Sequence, residues 1–236
     1  MKEVLVLKIG TSTIVDETTS RLDQGSFERI GEQISKLRSI GHGVVVVSSA
    51  ARKRLPHVGW GGVVQAWSEA IGEDVHDFLL AERELDSEGG CNKVITAIRA
   101  GRIALANADD DRLQRGSQYH SNDLVGARLA RHVLEDGHRV QYGMLSDVWG
   151  VYADIDDSTS LMRVADIEAH RHFAGGPGSR GATGGMTTKF DAAAITTAAA
   201  IQTWVAHGRE SSIELAMAGM QGTMFSCPDQ QIGVAQ

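Results

Sequence analysis

Two lysines lie in surroundings that suit them to an anion. The first sits in Lys8-Ile9-Gly10-Thr11-Ser12. A glycine there lets backbone N–H groups approach an anion closely, and the lysine supplies the opposing charge. The pattern is not that of a P-loop, and a lysine at a strand end also serves as a solvated surface charge. The second sits in Gly181-Ala182-Thr183-Gly184-Gly185-Met186-Thr187-Thr188-Lys189. A glycine-rich loop that opens into a helix presents free N–H groups and a positive dipole end, an arrangement suited to a phosphate. Lys189 falls in the first turn, where a cation opposes the dipole, so an anionic partner is expected. The plain alternative is a flexible loop with a surface lysine.

Other polar groups cluster at comparable places. In Leu145-Ser146-Asp147-Val148-Trp149-Gly150-Val151-Tyr152 a strand ends in Ser-Asp and turns at a glycine, as either a ligand loop or a plain hairpin turn. Ser121-Asn122-Asp123 opens a helix, so Asn122 or Asp123 is either an N-cap or, for Asp123, an acceptor that orients lysine ammonium groups. Ser48-Ser49 ends another strand, and Asp109-Asp110-Asp111 is a run of carboxylates that needs water, a cation or amines beside it. The histidines show no metal-ligand spacing. His170 and His172 lie two apart, on different sides of a helix, and are expected at the surface. Cys91 and Cys227 form no CxxC pair, and no disulfide is expected.

The elements that must position these groups alternate along the chain. Glu3 to Ile9, Val44 to Val47, Val75 to Leu80, Ile103 to Ala106, Arg139 to Leu145, Gln202 to Ala206 and Gly222 to Phe225 read as strands. Gln24 to Ser39, Val63 to Ile71, Asn92 to Ala100, Asn122 to Glu135, Val164 to Phe173 and Met186 to Ala200 read as helices. Arg52 to Gly62 and Gly175 to Gly185 read as loops, and Arg112 to Tyr119 as a small hairpin. The alternation implies an α/β fold with a mainly parallel sheet covered on both faces, where ligands bind beyond the carboxyl ends of the strands. The 236 residues are 42% hydrophobic with a net charge of −7. That acidity argues against nucleic acid as a partner. No run approaches the ~20 apolar residues of a membrane span, and Val4 to Leu7 is too short for a signal-peptide core. A cytoplasmic metabolic protein is expected.

In order and spacing these segments resemble the amino acid kinase family, and within it the glutamate 5-kinases. Val6 to Ser12 looks like the family's first-strand lysine motif. Gly41 to Ala50 is similar to its second-strand segment, Leu145 to Tyr152 to its nucleotide-site strand and hairpin, and Gly222 to Phe225 to its closing strand. Ala182 to Lys189 is the most specific match. The resemblance implies a three-layer α/β/α sandwich in a homo-oligomer, dimer or tetramer. Residues 1–236 would form one domain, with the acceptor side at about 1–140 and the nucleotide side at about 141–236. It further implies ATP and Mg²⁺, and transfer of a phosphoryl group to a small acid, the γ-carboxylate of L-glutamate first, in proline biosynthesis. A different acid, carbamate or phosphonate is the alternative, as is a non-catalytic sensor. Carried over by position, Lys8 and Lys189 stabilise the transferring phosphoryl, and Asp123 orients both. Lys8, Ser146, Asp147, Thr183, Gly184, Gly185, Met186 and Lys189 hold ATP, while Gly10, Ser49, Asn122 and one of Asp109 or Asp110 hold the acid. The departures lie on the acid side. Ala50 stands where the family has glycine, the segment after Ala51 is shorter by about one helix, and the family's Asn-Glu-Asn-Asp run is Asn107-Ala108-Asp109-Asp110.

Overall fold

A computed structural model describes residues 1–16, 18–48, 57–109, 112–114, 116–154, 156–175 and 185–226. β1 (Val4–Ile9) leads through the single-turn α1 (Thr11–Ile14) and the hairpin β2 (Val15–Asp16) and β3 (Arg21–Leu22) to α2 (Gln24–Ser39) and β4 (Gly43–Ser48). There follow α3 (Gly59–Ile71), β5 (Val75–Leu80), α4 (Glu82–Asp86), α5 (Asn92–Arg99), β6 (Ile103–Ala108) and α6 (Asn122–Glu135). The remainder is β7 (Val140–Ser146), the hairpin β8 (Val151–Tyr152) and β9 (Leu161–Met162), β10 (Val164–Ala165), α7 (Ile167–His170), α8 (Met186–Thr197), β11 (Gln202–His207), α9 (Ile213–Met217) and β12 (Thr223–Phe225).

One sheet runs β10-β12-β11-β7-β1-β4-β6-β5, and its pairs are parallel except β11 with β12. β1 lies between β4 and β7, so the chain first builds outward on one side of it and then on the other. The carboxyl ends on either side of β1 therefore meet at the topological switch of the sheet. Every residue of β1, β4, β6 and β7 is buried, as expected of central parallel strands with both faces covered. Leu5, Leu7, Val44 and Val46 pack with Phe27, Ile30 and Trp67 from α2 and α3, with α9 on the same side. Val4, Val6, Val45 and Val47 pack with α5, α6 and α8 on the other. This is the expected three-layer sandwich. Gly143 makes part of it possible, since a Cβ there would collide with the indole of Trp204 on the neighbouring strand.

Several local expectations are corrected. Gly59 to Gly62 open α3 rather than a loop. Asn107 and Ala108 extend β6 past its expected end at Ala106. Among the described residues of 112–119 no strand forms, and Ser117 caps a 3₁₀ turn at Gln118–His120. Val164 and Ala165 are a strand paired with β12, so no continuous helix runs from Val164 to Phe173. The helical turn begins only at Ile167, capped by Asp166.

Candidate active site

The direction of Lys8 follows from strand parity. Val4 and Val6 face the α6–α8 layer, and Lys8 continues that set. Its Nζ lies 2.6 Å from Oδ1 of Asp123, the second residue of α6. The other oxygen, Oδ2, accepts the Thr188 hydroxyl at 2.7 Å and has Nζ of Lys189 at 3.6 Å. Residues far apart in sequence thus meet on one carboxylate. Asp123 is 0% exposed, Lys8 8% and Lys189 3%.

Burial by itself would raise the pKa of Asp123. The charges of Lys8 and then Lys189 outweigh it, with help from the Lys8 and Thr188 hydrogen bonds, and hold the carboxyl at about 2. Burial lowers the pKa of Lys189, and the charge of Lys8 adds to that, while Asp123 and Asp147 oppose it. Two ammonium groups share the one carboxylate of Asp123 in a buried place, and the charge of Asp147 also bears on Lys189. Such a pair of amines is suited to an anion held between them.

The backbone around Asp123 is fixed from β7. The buried Tyr142 hydroxyl donates to the Asp123 carbonyl oxygen at 2.7 Å. Gly126, one turn further along α6, leaves room for that ring, since a Cβ there would stand 2.7 Å from it. The N-cap of α6 is Ser121, with no side-chain cap bond. The capping role open to Asn122 and Asp123 is therefore not the one they take. Gly10 has an ordinary extended conformation, with φ −71° and ψ 153°. A Cβ there would make only ordinary contacts, 3.5 Å from the Leu145 carbonyl oxygen and 3.6 Å from Nζ of Lys8.

On the nucleotide side, Ser146 is the buried end of β7 and donates to Oδ1 of Asp147 at 3.1 Å. Gly185 caps α8 with backbone alone and borders open space, and Met186 begins the helix. On the acceptor side, Asn122 opens α6 beside Asp123, while Asp109 follows β6 and is engaged by Arg112 at 3.1 Å. Ser48 is turned the other way and accepts from Nε1 of Trp67 at 3.2 Å. Ser49, Asp110, Thr183 and Gly184 lie outside the described residues.

The sequence reading missed three groups. Thr188 and Tyr142 touch Asp123, yet neither a threonine inside a glycine-rich motif nor a tyrosine inside a strand announces such a contact. Trp149 packs on the ring of His207 with centroids 5.1 Å apart, beside Ser146. An aromatic residue in the turn after Ser-Asp was the available signal. Burial lowers the pKa of His207. No group of three His, Cys, Asp or Glu among the described residues is placed to hold a metal ion. Among them, too, no helix is long and apolar enough to cross a membrane.

No family model matches the chain. It is 29% identical to the glutamate 5-kinase of Microcystis aeruginosa, over 95% of this chain and 67% of that one. It is likewise 29% identical to the glutamate 5-kinase of Clostridium perfringens, over 94% of each. Among solved structures, carbamate kinase from Giardia lamblia bound to AMP-PNP superposes with a TM-score of 0.68 at 13% identity, covering 94% of this chain and 98% of that one. Isopentenyl phosphate kinase of T. acidophilum gives 0.66 at 17%, covering 95% and 100%. The chain has the amino acid kinase fold and is related in sequence to the glutamate 5-kinases.

Proposed function

We propose that this chain is a kinase that moves the γ-phosphoryl group of ATP to a carboxylate oxygen of a small acid, with the γ-carboxylate of L-glutamate as the acceptor. The observation that carries the reading is the convergence of Lys8 and Lys189 on the buried Asp123. A carboxylate is already ionised near neutral pH, so it attacks phosphorus in line without a general base. The protein's part is positioning and charge. Lys8 and Lys189 meet the equatorial oxygens of the transferring group, and Asp123 keeps both ammonium groups on the same side. Ser146, Asp147, Gly185 and Met186, with Thr183 and Gly184, hold the nucleotide. Gly10 and Asn122, with Ser49 and Asp109 or Asp110, hold the acid. Mg²⁺ arriving with ATP would neutralise charge on the phosphates.

The kinship with glutamate 5-kinases supports glutamate. A second acceptor class, carbamate or a phosphate ester, is kept open by the carbamate kinase and the isopentenyl phosphate kinase that share the fold. The deciding assay measures ADP release from ATP with L-glutamate, carbamate and isopentenyl phosphate in parallel. Turnover dependent on glutamate is expected. Release stimulated by another acid alone rejects glutamate, and ATP binding without release under any acid rejects the kinase in favour of a sensor.

A further inference from the structure

We infer that Arg209 is a positioning residue: its guanidinium fastens the loop that follows β1 to the strand ends on the nucleotide side, and so sets where Gly10 to Ser12 stand relative to Ser146 and Asp147. In the sheet β7 separates β11 from β1, so those two strands lie about 10 Å apart. The residues after β11 bridge that gap. The Gly208 amide donates to the Ser146 carbonyl oxygen at 2.6 Å, and the Arg209 amide donates to Nδ1 of His207 at 3.2 Å. The loop is thereby anchored on β7 and β11. The Arg209 side chain then reaches α1. Its Nη2 donates to the carbonyl oxygens of Ser12 at 3.2 Å and Val15 at 3.0 Å, and lies 3.2 Å from Oδ2 of Asp23, the N-cap of α2. Gly208 permits the close approach, since a Cβ there would stand 2.3 Å from the Thr13 hydroxyl oxygen.

α1 has only four residues, too few to hold itself by its own hydrogen bonds, and its last carbonyls need donors from outside. Arg209 supplies them. The contact comes from the α2 side of the sheet, the face away from Asp123, and Nη2 is spent on backbone and on Asp23. Arg209 therefore acts through the loop and not on the reactants. Arg29 of α2 donates to the Gly208 and Ser211 carbonyl oxygens, so the loop after β11 stays in place when Arg209 is changed. What comes loose is the tie to α1. Lys8 is held within β1 and Ser146 within β7, whereas Gly10 to Ser12 lose their support. The loss then falls on use of the acid, the role given to Gly10, more than on the binding of ATP.

The kinetic part rests on the proposed kinase function, and the structural part does not. The test compares wild type, Arg209→Met and Arg209→Lys by steady-state kinetics with the acid that the ADP-release assay selects, by calorimetric titration with ATP and by amide hydrogen exchange. In Arg209→Met, kcat/KM for the acid should fall by about 10–100-fold, with the Kd for ATP within about twofold. The Thr13 and Val15 amides, which close α1 onto Gly10 and Thr11, should exchange at least about tenfold faster. The Ser12, Val15 and Asp23 oxygens are all met by one nitrogen, and a lysine ammonium is one nitrogen with three protons to offer them. Arg209→Lys should therefore restore most of both. Should Arg209→Met not fold, Arg209→Ala is read by the same criteria. Unchanged exchange at Thr13 and Val15, or kcat/KM within about twofold of wild type, overturns the inference. So does a loss of ATP affinity as large as the loss in kcat/KM, or an equal loss in lysine and methionine. Wild-type protein inactive on every acid overturns the kinase reading, while the exchange rates still decide the role of Arg209.

Discussion

Replacing Asp123 by asparagine keeps the shape of the side chain and removes the carboxylate that Lys8 and Lys189 both contact. The cost follows from the geometry in two ways. A carboxyl drawn from 3.8 to about 2 contributes on the order of 2–3 kcal/mol to folding. The folded value is the lower one, so this contribution is present above pH ~4 and is lost as pH falls through ~2. Breaking a buried ion pair by removing one partner costs about 3–5 kcal/mol, because an uncompensated charge stays behind. For a chain of this length, 2–5 kcal/mol lowers Tm by roughly 5–20 °C. Thermal unfolding at pH 7, followed by circular dichroism, reads that shift. Two further arms test its cause. Lys189→Met added to Asp123→Asn removes one of the two stranded cations and should recover part of the loss. Inorganic triphosphate should raise the Tm of Asp123→Asn more than that of wild type, since the variant has the larger unbalanced charge. An Asp123→Asn protein that melts with wild type, or one that neither second change improves, would refute the electrostatic argument.

Lys8→Met and Lys189→Met each leave one cation on Asp123. Both variants should fold and lose turnover by about 10²–10³-fold in the ADP-release assay, and near-normal rates would reject their roles. Tyr142→Phe loses the bond to the Asp123 carbonyl and should cost about 1–2 kcal/mol in urea unfolding; an unchanged midpoint would mean that the bond contributes nothing. Gly126→Ala pushes on the same ring, so it should shift α6 and lower kcat as well as stability, whereas a loss of stability alone would separate the ring from the site. Gly143→Ala drives a methyl into Trp204 and should cost about 1–3 kcal/mol by overpacking, read from the denaturation midpoint.

Elements whose signals are local were legible. Gln24 to Ser39, Val75 to Leu80 and Asn122 to Glu135 have the expected bounds, because apolar spacing and end residues mark them within a few positions. Val164 and Ala165 were not legible, since their strand exists only by pairing with β12 some sixty residues later. Gly59 to Gly62 are helical against their propensity, because Val63, Ala66 and Trp67 are buried against α2 and the sheet and hold the start of α3 in place. The site divides in the same way. Strand parity puts Lys8 on the α6–α8 side, and the glycine-rich motif puts Lys189 at a helix start. The shared contact with Asp123, with Thr188 and Tyr142 around it, depends on how two helices pack on the sheet, which no local pattern carries.

The most direct measurement follows an oxygen atom. The enzyme is supplied with ATP and L-glutamate labelled with ¹⁸O in its γ-carboxylate, in the presence of hydroxylamine. If that carboxylate attacks the γ-phosphorus between Lys8 and Lys189, hydroxylamine cleaves the acyl phosphate at carbon, and the released phosphate carries one ¹⁸O. Phosphate released without label would mean that water, and not the acid, had taken the phosphoryl group.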